Sequence, residues 1–420
     1  MSAFPALRSR NFRLLWSGQF VSFTGSMMQS AAVLWHVSLL CDPAQKGVAL
    51  GLVGLTRVIP IVAFSILGGL FSDAHDRRRI MLVTQSVMTA TAGLLALLTL
   101  RGAESLWAIY LLSALNAAAS AFDAPARQSL APNLVPREHL PNAISLNTTM
   151  FQLASVLGPS LAGIAIAGFG VGWVYLLNAI SFLAVLGALI AMRDLPTRGP
   201  SERGAISWAA AREGLGFVFR TPILRGSMLL DFFATFFSSA TALLPIFAQD
   251  ILRVGPTGYG WLYAAPSIGA LCTGAAMVPL IERIEQRGRV LFLSVAGYGL
   301  ATVGFGLSTS LWPAFVCLAL TGATDTVSMV IRNVIRQLHT PDRLRGRMTS
   351  VSMIFFMGGP QLGELEAGLV AQAWGAPVSV TSGGLLCLGA VGWIAAKTPT
   401  LRRYRKGEEI TSLSGTARTT

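Results

Sequence analysis

Charge is what this chain has least of: Lys, Arg, Asp and Glu make up 12% of its 420 residues, against 53% hydrophobic residues and a mean hydropathy of +0.60. An ordinary soluble domain carries roughly a quarter of its residues as charges, so that class is excluded. Lysine is scarcer still. Only Lys46, Lys397 and Lys406 occur, none follows a glycine, and without a GK[ST] loop the chain is no P-loop ATPase. Its four cysteines (Cys41, Cys272, Cys317, Cys387) lie far apart with no CxxC pair, which favours small buried hydrophobes over disulfides or metal ligands. The four histidines (His36, His75, His139, His339) are equally dispersed and form no HExxH or other ligand pair. No spacing assembles a nucleophile, a base and an orienting group. The sequence therefore predicts neither an enzyme nor a cofactor or metal site.

What is abundant is apolar sequence in span-length runs. At roughly 20 residues per spanning helix, the chain reads as an all-α membrane protein with twelve transmembrane helices at about 12–40, 48–71, 80–100, 106–125, 144–168, 172–192, 224–250, 257–281, 289–309, 311–331, 349–373 and 377–396. Arg8, Arg10 and Arg13 ahead of the run Leu14 to Leu40 imitate a signal peptide, but the run is too long and has no small-x-small cleavage site, so it stays as the first span. The predicted organisation is a six-helix half at 1–192, a cytoplasmic linker at 193–222, a second half at 223–398 and a disordered polar tail at 399–420. Within the linker, Ile206 to Phe219 reads as an interfacial helix.

A formal charge of +13 would suggest a nucleic-acid partner in a soluble chain. Here placement decides otherwise. Twenty-eight of the 32 cations fall in alternate connections, while the opposite ones hold only Lys46, Arg101 and Arg253, and Arg57 lies inside a span. Such asymmetry puts both termini and the linker on the cytoplasmic side, with the lipid bilayer and no nucleic acid as partner. A monomer is the default.

Shifted by 205 residues, the chain overlays on itself without a gap: Trp107 meets Trp312, Arg127 meets Arg332, Pro136 meets Pro341, Gly158 meets Gly363 and Gly170 meets Gly375. A parallel repeat of two six-helix halves implies two pseudo-symmetric bundles with a binding site near mid-membrane, the architecture of a transporter for a small molecule.

Small residues recur every four positions at Ala154, Gly158 and Ala162, and again at Gly359, Gly363 and Ala367. Close helix packing is favoured over ligand contact there. Polar stripes are more informative. Gln19, Ser22, Ser26 and Gln29 share one face of the first span, and Ser113, Asn116, Ser120, Asp123 and Arg127 one face of the fourth. Asp231, Thr235 and Ser238 line the seventh, and Thr321, Asp325, Ser328 and Arg332 the tenth. A polar face in hydrocarbon must turn to a protein interior or a wet cavity, and the cavity reading is favoured over interhelical glue.

Ionisable groups within spans each need a reason. Asp325 reads equally as a paired structural charge or an ion-coupling site, with Asp231, Arg57 and Glu364 as further coupling candidates. Glu364 or Glu366 is at a depth to reach Arg57, and Asp123 with Arg127 reads as an i,i+4 salt bridge.

The connection after the second span, Gly69-Leu-Phe-Ser-Asp73-Ala-His-Asp76-Arg77-Arg78-Arg79, resembles the signature loop of the major facilitator superfamily, with Asp76 in place of the usual glycine. Together with RNFRLLWSGQFVSFTGS, APARQSLAPNLVP, REGLGFVFRTPILR and TGATDTVSMVIRNVIRQLHTPDRLRGR, it is similar to the macrolide-efflux and enterobactin-exporter-like branch, of the transmembrane secretion effector type. The resemblance spans nearly the whole chain. It implies twelve helices, alternating access and antiport-type efflux of a small amphipathic molecule driven by a proton or other cation. By position it suggests that Asp73 and Arg77 belong to a cytoplasmic gate, and Arg78, Asp123, Arg127 and Arg332 are assigned to the same gate. Three positions depart from the pattern: Ala74 follows the signature aspartate, Asn116 stands where many drug/proton antiporters have a buried arginine, and the fifth-span antiporter motif is only partial, from Gly158-Pro159 to Gly163. Uptake of a metabolite on the same scaffold, and a membrane enzyme or non-transporting receptor, remain as alternatives.

Overall fold

The computed structural model describes residues 4–193, 216–340 and 345–406, apart from the side chains of 65–66, 69–70, 72–74 and 345–357. Among the described residues there is no strand. The twelve principal helices are α1 (Arg10–Leu40), α2 (Lys46–Ala74), α3 (Arg77–Leu100), α4 (Leu106–Leu130), α5 (Leu140–Phe169), α6 (Val171–Ala191), α7 (Pro222–Phe237), α8 (Gly255–Leu280), α9 (Arg287–Gly306), α10 (Leu311–His339), α11 (Arg345–Trp374) and α12 (Ala376–Lys397). A short α13 (Pro399–Arg403) follows. Among the described residues, ten stretches are long and apolar enough to cross a membrane. The remaining two helices, α1 and α11, have 31 and 30 residues, ample for a span at about 1.5 Å per residue. The linker helix expected at Ile206 to Phe219 lies mostly outside the described residues, as does the tail beyond 406.

Two helices overrun their expected ends. Apolar sequence stops near residues 125 and 331, yet α4 continues to Leu130 and α10 to His339. Hydropathy marks where hydrocarbon ends; a helix continues into the polar zone because its backbone is already hydrogen-bonded internally. That overrun places Arg127 and Arg332 on helices instead of in loops.

The seventh span does the opposite and breaks. After Phe237 the chain leaves helical geometry at Ser238, makes a 3-10 turn at Thr241–Leu243 and a single α-turn at Leu244–Ile246, and resumes as a π-helix at Phe247–Ile251. Ser238, Ser239 and Thr241 carry hydroxyls that compete with the backbone for hydrogen bonds, which weakens a helix where they cluster.

The chain forms two compact units, Met1–Ile206 with Pro245–Ala264, and Ser207–Leu244 with Ala265–Thr420. In the first, α1 packs on α5 and α6, α3 on α4 and α6, and α2 on α4. In the second, α7 packs on α11 and α12, and α9 on α10 and α12: four of those five pairs, six helices later.

The internal repeat is visible to the residue. Adding 205 to the first residues of α4 and α6 gives those of α10 and α12, and Gly170 and Gly375 end α5 and α11 at φ 89° and 88°. That left-handed region costs glycine little and a side chain much, so both repeats stop the helix the same way. Gly158 and Gly363 also match. A Cβ on Gly158 would meet Met27 and the carbonyl of Thr24 on α1, and one on Gly363 would meet the carbonyl of Phe236 on α7. Each lets two backbones touch where lipid supplies no hydrophobic drive. Trp107 and Trp312, and Phe169 and Trp374, are exposed at equivalent helix ends, as an interfacial aromatic belt requires.

Segment 245–264 has its own ties within the first unit. Lys46 Nζ, at the start of α2, lies 3.2 Å from Asp250 Oδ2 and donates to Gln249 Oε1 at 3.2 Å; Gln249 Nε2 donates to Ser38 Oγ at 2.7 Å. Tyr259 donates its hydroxyl to the carbonyl of Ala31 at 2.8 Å.

Candidate functional site

The second unit brings together three charges that are scattered in sequence. Asp231 lies on α7, Asp325 on α10, and Arg332 two turns further along α10 on the same face. Helical side chains lean toward their own N-terminus, so Arg332 reaches back along α10. Its Nη1 pairs with Asp231 Oδ1, its Nη2 lies 3.4 Å from Asp325 Oδ1, and its Nε donates to the carbonyl of Ser328 at 3.3 Å. The two carboxylates are not equivalent. Side-chain exposure is 12% for Arg332 and 16% for Asp231, but 42% for Asp325. Asp231 is the tight partner; Asp325 is the accessible one.

Both aspartates line a cavity of about 380 Å³ within the second unit. A volume of that size suits a small molecule or its head group. Thr235, Ser238 and Thr321, all from the polar stripes of the sequence, are on its wall, and so is the break in α7 from Ser238 to Thr241. Tyr298 and Thr302 of α9, and Gln361 of α11, are wall residues that the sequence did not single out. Their only signal was a lone Tyr and a Thr one turn apart in an otherwise apolar span. Tyr298 donates its hydroxyl to the carbonyl of Ser238 at 3.5 Å, which holds the unwound stretch against α9. The buried carboxamide oxygen of Gln361 has no hydrogen-bond partner among the described residues, while the Ser238 hydroxyl is beside the Cys387 thiol of α12.

The first unit holds the repeat counterpart of this cluster, and it is built differently. Arg127, equivalent to Arg332, lies 3.3 Å from Asp123 one turn back, as the i,i+4 spacing predicts. Asp123 is 2% exposed and also accepts from Thr84 Oγ1 at 3.0 Å and Gln85 Nε2 at 2.9 Å. The Arg127 guanidinium sits 4.4 Å from the ring centre of Phe23, within cation–π range. By the shift of 205, Asp123 corresponds to Ser328, Asp325 to Ser120 and Asp231 to Ser26. One half therefore satisfies its carboxylate within three packed helices, and the other has moved its acids to a cavity wall.

Other predicted residues are placed as follows. Gln19, Ser22 and Gln29 are buried on α1, where Gln29 Oε1 accepts from Asn178 Nδ2 of α6 at 2.6 Å; Ser26 is half-buried. Asn116 Nδ2 donates to Thr91 Oγ1 of α3 at 3.4 Å, and Ser113 and Ser120 share its helix. Several members of the first-unit stripes thus join helices. Arg57 donates to the carbonyl of Ser30 at 3.4 Å, and Glu364 is buried on α11. Arg77 Nη1 donates to the carbonyl of Ser129 at 2.8 Å, Arg78 Nη2 to that of Ile190 at 3.2 Å, and Asp76 caps α3 by accepting from the Arg78 amide at 2.9 Å. The side chain of Asp73 lies outside the described residues. Among the described residues, no three His, Cys, Asp or Glu side chains cluster as metal ligands, and the four cysteines are unpaired.

Comparison with known proteins matches residues 1–413 to a family described as transmembrane secretion effector. Among curated relatives, the chain is 28% identical over 402 residues to the enterobactin exporter EntS of Salmonella choleraesuis (strain SC-B67), covering 94% of each. It is 28% identical over 408 residues to that of Escherichia coli O6:K15:H31 (strain 536 / UPEC), covering 96% of this chain and 95% of the relative. Solved structures of similar fold include a POT family transporter in complex with 5-aminolevulinic acid, with a TM-score of 0.74, 11% identity, and 94% and 97% of the two chains covered. A bacterial homologue of the iron transporter ferroportin in an inward-facing state gives a TM-score of 0.68 at 17% identity, covering 94% and 99%. At these identities the likeness is one of fold.

Proposed function

The chain belongs to the transmembrane secretion effector family of multi-pass membrane transporters, and from that premise we propose that it exports a small amphipathic molecule from the bacterial cytoplasm across the inner membrane by secondary active, cation-coupled transport. Both termini face the cytoplasm in this reading, and the two six-helix halves alternate access to the site. The relatives named as enterobactin exporters support the outward direction and make a siderophore one class to test.

The observation that carries the proposal is the placement of Arg332 between a tight and an accessible carboxylate on a cavity wall. With Asp325 ionised, the trio carries a net −1. With Asp325 protonated, Arg332 and Asp231 balance and the trio is neutral. Charge is costly at mid-membrane, so a coupling proton on Asp325 lets the site cross the low-dielectric stage of the cycle balanced. Asp325 is the first choice of coupling residue and Asp231 the second. Asp123 and Arg127, with Asp73, Arg77 and Arg78, act at the cytoplasmic gate. The resemblance put Arg332 in that gate as well; its contacts favour the cavity.

A growth and accumulation screen of the deletion strain against antibiotics, siderophores and metabolites identifies the substrate. Everted vesicles then test coupling. Asp325→Asn keeps the side-chain shape, so the protein is expected to fold and insert normally while gradient-driven transport drops by at least about tenfold, the effect of ~1.4 kcal/mol lost from the coupled step. Unimpaired ionophore-sensitive transport by Asp325→Asn would discard the assignment.

A further inference from the structure

We propose that the cavity of the second unit seats a positively charged ammonium group of the transported molecule against Asp325, so that cationic amphiphiles are ligands of this site and free carboxylates and phosphates are not. The inference rests on the transporter reading and adds the chemistry of the passenger.

It follows from the charges on the wall. Of the lining residues, Asp231 and Asp325 are the only ones with formal charge, and the rest of the polar wall is neutral: hydroxyls of Thr235, Ser238 and Thr321, and the carboxamide of Gln361. Arg332 brings one positive charge to two negative ones. Arg336, one turn beyond on α10, donates to Asn333 Oδ1 at 2.9 Å and is not part of the wall. Among the described residues of the wall and their ion-pair partners, one negative charge is therefore left over. It belongs to Asp325, whose side chain is 42% exposed, because Arg332 makes its close contact to Asp231.

Around that carboxylate the wall offers oxygens. The carboxamide oxygen of Gln361 has no hydrogen-bond partner among the described residues. The break in α7 runs along the same wall, at the C-terminal, carbonyl-rich end of that helix. The negative end of a helix and an unbalanced carboxylate both favour a cation and repel an anion, and the Gln361 oxygen can accept from a ligand that also carries a donor. The ring of Phe305 and the phenol of Tyr298 supply apolar surface for the rest of the ligand.

Benzyltrimethylammonium and its neutral isostere neopentylbenzene separate charge from shape, and the quaternary nitrogen cannot exchange a proton. Binding of each is measured by calorimetry on the full-length protein in lipid nanodiscs, for wild type, Asp325→Asn and Asp325→Glu, with thermal unfolding as the folding check. Benzyltrimethylammonium is expected to bind wild type and Asp325→Glu, and to lose at least about tenfold in affinity in Asp325→Asn; benzoate is expected not to bind. Absent binding to folded wild type, equal binding to Asp325→Asn, or equal affinity for neopentylbenzene would each overturn the proposal. Gradient-driven export of a screened substrate is scored separately: export that persists while ammonium binding fails leaves the transport reading standing and removes this inference alone.

Discussion

Replacing Arg332 with Met is expected to abolish transport and to destabilise the second unit by about 3–5 kcal/mol, the usual cost of removing one partner from a buried ion pair. The side chain is 12% exposed, so water screens the loss little. Asp231 and Asp325, both held beside it, would be left facing each other across a cavity with no cation between them. The effect is one of charge balance, and a second substitution tests that. Arg332→Met combined with Asp231→Asn leaves a single acid able to take up a proton, and should recover most of the unfolding temperature without recovering transport. Arg332→Lys keeps the charge but cannot bridge two carboxylates with one planar fork, so it should fold and transport poorly. Thermal unfolding in nanodiscs and vesicle transport measure both quantities. An Arg332→Met protein with wild-type stability and activity would show that the trio does neither job.

A substitution at a different kind of position should do comparable damage. Gly322 of α10 lies against the backbone of α8: an added Cβ would fall 2.7 Å from Pro266 Cα and against the Pro266 carbonyl. Gly269 makes the reciprocal approach from α8 to the carbonyl of Ala319. Backbone atoms cannot rotate away, so Gly322→Val must separate the two helices, at a cost of about 1–3 kcal/mol or more for overpacking. Pro266 and Gly322 also form part of the cavity wall, so separation should change its shape and remove transport. Gly274→Ala, also on α8, is the control. Its nearest foreign atom would be Thr326 Cγ2 at 4.0 Å, an ordinary contact, and stability and transport should stay close to wild type. Equal tolerance of both substitutions would mean that the α8–α10 contact is not tight.

How much of this was legible in the sequence varies with the physics behind each feature. Spans were legible because hydrocarbon thickness imposes a length, and the repeat because Trp107, Arg127 and Gly170 have identical counterparts at Trp312, Arg332 and Gly375. The Asp123–Arg127 pair was legible because i,i+4 neighbours must share a helix face. The break in α7 was not: hydroxyls at Ser238, Ser239 and Thr241 weaken a helix, but only tertiary packing decides whether the helix closes over them. Nor was the position of Arg332 within the site. Its apolar span ends one residue earlier, and only the helical overrun and the backward lean of the side chain bring it to Asp325. Tyr298 escaped notice because a single phenol in an apolar helix reads as packing. Along α1, polar spacing marked a face correctly but could not tell a cavity from the hydrogen bond Gln29 makes with Asn178.

The central claim is that a wet, charged cavity lies among α7, α9, α10 and α11. Cysteine accessibility tests it most directly: Thr235→Cys and Thr321→Cys, each in a variant whose four native cysteines are replaced by serine or alanine, exposed in everted vesicles to a charged, water-soluble methanethiosulfonate. Both positions are expected to react far faster than Leu300→Cys, a side chain on the outward face of α9. If Thr235→Cys and Thr321→Cys are as inert as Leu300→Cys in a folded protein, the cavity is dry and the account is contradicted.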